Sequence, residues 1–389
     1  MSAEKLQFFA ESLAEICAHS LVARDRPLRW LVIANPTAGG FVMRSRWKKC
    51  RRVLEERRAA ARLNPLRRNC VPAKVANGDQ SAMFAGCVPT ERPGSAADIA
   101  KALVDMADSA VIAPNEPGAA SAPFYLLITA GGDGTSLEAL SVLYNAPDAV
   151  RARITVLRLP MGTGNDGADS PDLARALDLL IQPSRVEYAP ALRLIPAQGG
   201  PAAAQSPYLA FNILSVGLDA FVTHMTNKMK GKLPGDFYKL WVDIASLLYD
   251  TLYTVDFLDM RALDAQGNEV RSFREKLLLL AVGASGHRTY GSQKKILPDE
   301  RNVCAVKQMP LLRKLALKGL FSTGAHIDKP ESILFNACRV EFSGSHPMLA
   351  QMDGETVLLQ REDFPAAIEL TEPVIPVLKL LQSQPNHIP

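Results

Sequence analysis

The chain has 389 residues, 48% of them apolar, which is enough to bury a full core; this excludes global disorder and leaves room for two or three domains. A formal charge of +4 and 6% aromatic residues permit contact with nucleotides or anionic lipid, but the sequence lacks the basic–aromatic interleaving of a nucleic-acid binder. Six scattered cysteines form no CxxC pair and stand at no metal spacing with histidine, which argues against zinc and for a reducing cytoplasm.

Met1 to Val22 has no cleavable secretory pattern, because Glu4, Glu11, Glu15 and His19 interrupt it. Leu6, Phe9, Leu13 and Ile16 share one helical face, so an amphipathic helix packed on the body is expected over 1–25. No apolar run reaches the length of a membrane span. Leu28 to Ala34 reads as a buried strand that ends in a turn at 35–40, Asn-Pro-Thr-Ala-Gly-Gly. A basic segment follows at 44–68, helical from Trp47 to Leu63, and its arginines read as a solvated face. An irregular stretch with at most one strand is expected over 69–86, a turn at 89–95, a helix from Ser95 to Met106 and a low-complexity loop at 113–122.

The chain is organised around Phe124 to Tyr144. An apolar run, Phe124 to Ile128, leads into Gly131-Gly132-Asp133-Gly134-Thr135, and Leu137, Leu140 and Leu143 then recur at helical spacing. This predicts strand, tight loop and helix, with the free N–H groups and positive dipole end of the helix turned towards the loop. Such a loop suits a phosphate. Asp133 inside it caps the helix, binds a metal or handles a proton. A third unit of the same kind runs from Ile154 to Leu159 into the loop 160–167, then into a helix at 171–181 capped by Asp169 or Ser170. In an open parallel sheet the three loops, 35–40, 131–135 and 162–167, emerge together at the carboxyl ends of the strands, where ligands bind.

Past Arg185 the pattern becomes short apolar runs separated by turns: 186–194, 208–214, 253–262, 276–282, 303–309, 338–342, 356–359 and 367–370. Their recurrence predicts a mostly antiparallel β domain, interrupted by helices at 236–249 and 311–321.

NPTAGG at 35–40, TERPGSAADIA at 90–100, GGDGTSLEAL at 131–140 and PMGTGNDGA at 160–168 resemble the catalytic domain of the diacylglycerol kinase family, shared by bacterial soluble lipid kinases and sphingosine kinases. FNILSVGLDAFV at 211–222, RTYGSQKKILP at 288–298 and LAQMDGE at 349–355 continue the resemblance in order, over roughly residues 28–380. It implies an NAD kinase-like fold, α/β + all-β: an N-terminal three-layer α/β nucleotide-binding domain with a parallel sheet, followed by a C-terminal antiparallel β-sandwich domain. The expected divisions are an N-terminal helix at 1–25, the α/β domain at 26–184, the β-sandwich lipid domain at 185–360, and a C-terminal segment at 361–389 that returns to the first domain.

By the same resemblance, Asn35, Thr37, Gly39, Thr90, Gly131, Gly132, Asp133, Gly134, Thr135, Glu138 and Thr163 line the nucleotide. Phosphoryl transfer needs in-line placement, Mg2+ and a proton acceptor. The resemblance implies Glu355 as base, Asp353 orienting it, and Asp133 either on Mg2+ beside the phosphates or itself the base. It sets Asp219 against the lipid head group. Where the family usually carries an Asp-Gly turn that supports a structural Mg2+, this chain has Asp299-Glu300-Arg301-Asn302, so Asp299 or Glu300 is left for that site. The glycine pair usual after Tyr290 is reduced to Gly291-Ser292, and the third loop lacks Phe-Ala-Arg after Asn165-Asp166.

The expected activity is a cytoplasmic, membrane-visiting lipid kinase of phospholipid metabolism that uses ATP and Mg2+, with diacylglycerol as first acceptor and a sphingoid base as second. NAD kinase and a non-catalytic nucleotide-binding regulator are the alternatives. The partner is a lipid at a membrane surface, not nucleic acid, and a homodimer is left open. The account expects folding to bring 131–135 and 353–355 to one cleft.

Overall fold

The computed structural model describes residues 3–74, 86–110, 122–162, 165–170, 172–229, 249, 255–291 and 294–381. The chain divides into two units, Met1–Ala189 with Val374–Pro389, and Pro190–Pro373.

In the first unit, α1 (Ala3–Ala18) buries Leu6, Phe9, Leu13 and Ile16, the face its spacing predicted. There follow β1 (Leu28–Ala34), α2 (Gly39–Val42), α3 (Arg44–Ala61), β2 (Cys70–Pro72), β3 (Cys87–Pro89), α4 (Ser95–Ser109), β4 (Phe124–Gly131), α5 (Asp133–Tyr144), α6 (Asp148–Arg151), β5 (Ile154–Pro160), α7 (Leu173–Ile181) and β6 (Ser184–Ala189). β1 pairs in parallel with β2, β3 and β4, and β4 pairs in parallel with β5. These strands read as continuous apolar runs because both faces of the sheet are covered. Leu28, Trp30, Val32 and Ala34 join Leu126, Ile128 and Ala130 in the core under α1, α3 and α7. The alternate residues, such as Leu31, Ile33 and Leu127, are equally buried, on the face where α4 and α5 pack. A final strand, Ile375–Leu380, lies parallel to β5 and antiparallel to β6.

Two local expectations were corrected. The helix at 171–181 begins at Leu173 with Asp172 as its cap, accepting the Arg175 N–H at 2.9 Å. Asp169 is not available for capping, because it forms a buried ion pair with Arg158 at 2.7 Å. The apolar run 186–194 is two strands in different sheets, since β6 belongs to the first unit and the next strand to the second.

The second unit holds β7 (Leu192–Ile195), β8 (Tyr208–Ala210), β9 (Ile213–Gly217), α8 (Leu218–Met229), β10 (Phe257–Leu263), β11 (Glu269–Gly283), β12 (Arg288–Tyr290), β13 (Lys294–Leu297), β14 (Val303–Lys307), α9 (Leu311–Thr323), β15 (Ser332–Phe335), β16 (Arg339–Ser343), β17 (Met348–Met352), β18 (Glu355–Leu359) and β19 (Ala366–Leu370). The long strand β11 belongs to two layers. Its first half pairs with β10, whose other neighbour is β16, and its second half pairs with β9 and β14, all antiparallel. Leu194, Met260 and Phe342 of one layer pack against Leu214, Val216 and Met352 of the other, so the antiparallel region closes on an apolar core. On the outer side of β9 and β14, Phe221 of α8 and Leu317 of α9 cover a second cluster around Ile213, Leu279 and Cys304. The helix expected at 236–249 lies outside the described residues except for Tyr249. Among the described residues no helix is long and apolar enough to cross a membrane. All six cysteines are free thiols.

Candidate active site

The register of the first sheet brings the glycine loops together. Ala34 pairs with Ala130, and Gly131 with Pro160, so β1, β4 and β5 end side by side. At these ends the side chains of three predicted residues form one cluster. Asn35 Oδ1 accepts the Thr37 N–H at 3.0 Å and the Thr37 hydroxyl at 2.8 Å, and Asn35 Nδ2 donates to Thr135 Oγ1 at 3.3 Å. Thr90 N donates to the Ala34 carbonyl at 2.8 Å, which ties the next turn to the same edge. Gly39 opens α2 and is buried.

Gly131 and Gly132 carry the chain from β4 into α5, with Gly132 extended as the N-cap and Asp133 and Gly134 in the first turn. A Cβ on Gly131 would lie 2.4 Å from Thr135 Oγ1, so the backbone approaches that hydroxyl more closely than any side chain allows. Asp133 Oδ1 accepts the Gly167 N–H at 3.0 Å and thereby fastens the second loop to the third. The third loop is also held from within: Asn165 accepts from Gly162 N at 2.7 Å and donates to the Gly162 carbonyl at 3.1 Å. Thr163 lies outside the described residues. Glu138 uses both carboxylate oxygens on the N-terminus of α4, accepting from Gly94 N at 2.9 Å and Ala96 N at 3.1 Å. Glu138 thereby fixes the 90–95 turn.

In the second unit Asp353 and Gly354 form the two-residue turn between β17 and β18, with φ values of +46° and +103°. Positive φ at both central positions is what a tight hairpin of matching twist requires. Asp353 is buried, and its carboxylate accepts the N–H groups of Phe211, of Asn212 at 3.1 Å and of Ile213 at 2.9 Å. Glu355, the first residue of β18, is exposed. Sequence reasoning missed the buried amide that steadies this turn. Gln351 Oε1 accepts from Gly354 N at 3.2 Å, while its Nε2 donates to Ser215 Oγ at 2.9 Å and to Asp219 Oδ2 at 3.4 Å. Ser215 donates to the same Asp219 oxygen at 2.7 Å, so the predicted head-group residue belongs to the turn's own network. The available signal was Gln351, a polar residue in the otherwise apolar strand β17, two positions before Asp353.

The Asp299 carboxylate is engaged by Arg301. Arg301 donates to it from its backbone N–H at 2.9 Å and from Nε at 3.0 and 3.1 Å, and these bonds hold the Asp299 carboxyl below its usual range. Among the described residues no cluster of three or more His, Cys, Asp or Glu side chains is able to hold a metal unaided.

Residues 29–187 match the model of the diacylglycerol kinase catalytic domain. Two solved structures of proposed diacylglycerol kinases from Bacillus anthracis str. Sterne resemble the chain in fold. One is 16% identical, covering 90% of this chain and 96% of the other at a TM-score of 0.53; the second is 17% identical with the same coverage at 0.51. No curated protein matches the chain.

Proposed function

We propose that this chain, which carries the diacylglycerol kinase catalytic domain over residues 29–187, is an ATP-dependent lipid kinase that transfers the γ-phosphate to a lipid hydroxyl, with diacylglycerol as first acceptor class. One observation carries the reading: the N-terminus of α5 adjoins the Asn35–Thr37–Thr135 cluster at the ends of parallel strands, within the residues that match this family's model. Backbone N–H groups at a helix N-terminus receive phosphate oxygens, and the hydroxyls add donors.

The roles divide as follows. Asn35, Thr37, Gly39, Thr90 and 131–135 bind the nucleotide, and Glu138 holds the 90–95 turn against it. Asp133 is the carboxylate that would hold Mg2+, which when bound spreads the charge of the phosphate oxygens. Glu355, exposed at the end of its turn, takes the proton of the lipid hydroxyl. The hydroxyl oxygen bonds to the γ-phosphorus, the bond from that phosphorus to the β-phosphate oxygen breaks, and ADP leaves. Asp353 does not touch the reacting atoms; it fixes the turn by gathering three backbone N–H groups. Asp219 faces the lipid head group from the same network.

A panel of acceptors tests this. With γ-labelled ATP and Mg2+, label is expected on diacylglycerol or, as second choice, on a sphingoid base. Label on NAD supports an NAD kinase instead, and nucleotide binding without any labelled product supports a regulator. Either of those outcomes overturns the proposal.

A further inference from the structure

The first half of α3 concentrates positive charge. Arg44, Arg46, Lys48, Lys49, Arg51 and Arg52 place six cations within residues 44–52, while the whole chain has a formal charge of +4, and no acidic residue stands between Gly39 and Leu54. The helix packs inward through Val53 and Leu54, with Trp47 and Cys50 partly buried against the same core. Helical spacing then turns Arg44, Lys48, Lys49 and Arg52 outward, and all four are exposed. Arg52 pairs with Glu56 one turn on, whereas Arg44, Lys48 and Lys49 make no ion pair among the described residues. At the head of this face, Val42 and Met43 are 54% and 46% exposed.

Helix α9 also exposes apolar side chains, Leu311, Leu312 and Leu315, but two of the cations beside them are taken up within the unit. Arg313 is paired with Glu331 at 2.6 Å and Lys314 is buried. A merely solvated helix, or one that meets nucleic acid, has a use for the lysines and none for two adjoining exposed aliphatic side chains. A bilayer uses both: aliphatic groups enter the acyl boundary while cations meet the phosphates of anionic head groups.

We propose that the amino-terminal half of α3, together with Val42 and Met43, is the surface on which the protein docks to anionic phospholipid bilayers. The inference deepens the lipid-kinase reading, since a diacylglycerol acceptor resides in a bilayer, but its test reads no turnover. The full chain is sedimented with vesicles of phosphatidylcholine alone or mixed with phosphatidylserine. Binding is expected only to the mixed vesicles, and to weaken with salt. K48A/K49A should bind about 25-fold more weakly, about fivefold for each cation removed. V42S/M43S should lose about tenfold by the loss of aliphatic burial. Equal binding by wild type and K48A/K49A, or binding of duplex DNA through these lysines with no response to phosphatidylserine, overturns the proposal. Vesicle binding without phosphorylation of a short-chain, water-soluble diacylglycerol keeps the docking surface and fails the kinase reading. Turnover without vesicle binding does the reverse.

Discussion

Replacing Asp353 with alanine separates a positioning role from a chemical one. The carboxylate is buried and serves the N–H groups of Phe211, Asn212 and Ile213. A hydrogen bond to a charged group contributes about 1.5–3 kcal/mol, and a buried donor left without a partner costs about 1–3 kcal/mol. The three donors are adjacent and can share entering water, so their losses do not add fully, and a total of about 3–5 kcal/mol is expected for D353A. A further ~1 kcal/mol of strain arises because alanine disfavours the positive φ at this position. D353G removes that strain and leaves the three donors orphaned, so it should be the more stable of the two by about that amount. D353N tolerates the backbone and keeps one acceptor oxygen, and should fall between D353G and the wild type. Urea unfolding of the full chain, followed by tryptophan fluorescence and by circular dichroism to resolve the two units, measures this. If D353A abolishes phosphoryl transfer while unfolding at the wild-type urea concentration, Asp353 is a chemical group and the reasoning fails.

Gly131→Ala places a methyl group 2.4 Å from Thr135 Oγ1 and pushes that hydroxyl off Asn35; ATP affinity by equilibrium dialysis should fall about tenfold, the equivalent of about 1.4 kcal/mol. Glu138→Ala strips two acceptors from the N-terminus of α4 and should lower stability by about 1–2 kcal/mol, read as a reduced melting temperature. His326 is fully buried and stacked on Phe321 at 4.1 Å, with Nε2 on the Ile296 carbonyl at 3.2 Å, and burial holds its pKa below the ordinary value. The folded state therefore prefers the neutral ring. Its contribution is complete above the unfolded pKa of about 6.5 and declines as pH falls from there through the lowered folded value. Urea midpoints between about pH 5 and 8 should show this decline in the wild type and a smaller one in H326L.

The parallel strands β1, β4 and β5 were legible because each is an apolar run that ends in a glycine turn, a local pattern that needs no partner to be recognised. The strand Ile375–Leu380 was not read as one, because a short apolar run does not state its pairing with β5, more than two hundred residues earlier; only the resemblance implied that this end of the chain returns to the first domain. Helix α8 was not expected, because it follows directly on the apolar strand β9. The break comes at Gly217, whose φ of +89° turns the chain where a Cβ would meet the Leu278 carbonyl at 2.6 Å. The candidate site follows the same division. Asn35, Thr37, 131–135 and the third loop announced themselves through glycine and short polar residues. The task of Asp353 depends on backbone donors some 140 positions away, and nothing in the DG turn itself tells a hairpin corner from an anchor. Asp169 shows the converse: it was read as a helix cap, while the fold uses it on the buried Arg158, which lies in the preceding strand.

The central claim is that Glu355 accepts the proton of a lipid hydroxyl as phosphate leaves ATP. Wild type and E355Q, incubated with γ-labelled ATP, Mg2+ and diacylglycerol in mixed micelles, test it most directly, with ATP binding measured in parallel. The account predicts labelled phosphatidic acid from the wild type, about 100-fold or more less from E355Q, and equal ATP affinity in the two. Equal rates from both proteins, or label that leaves ATP only as inorganic phosphate, would contradict it.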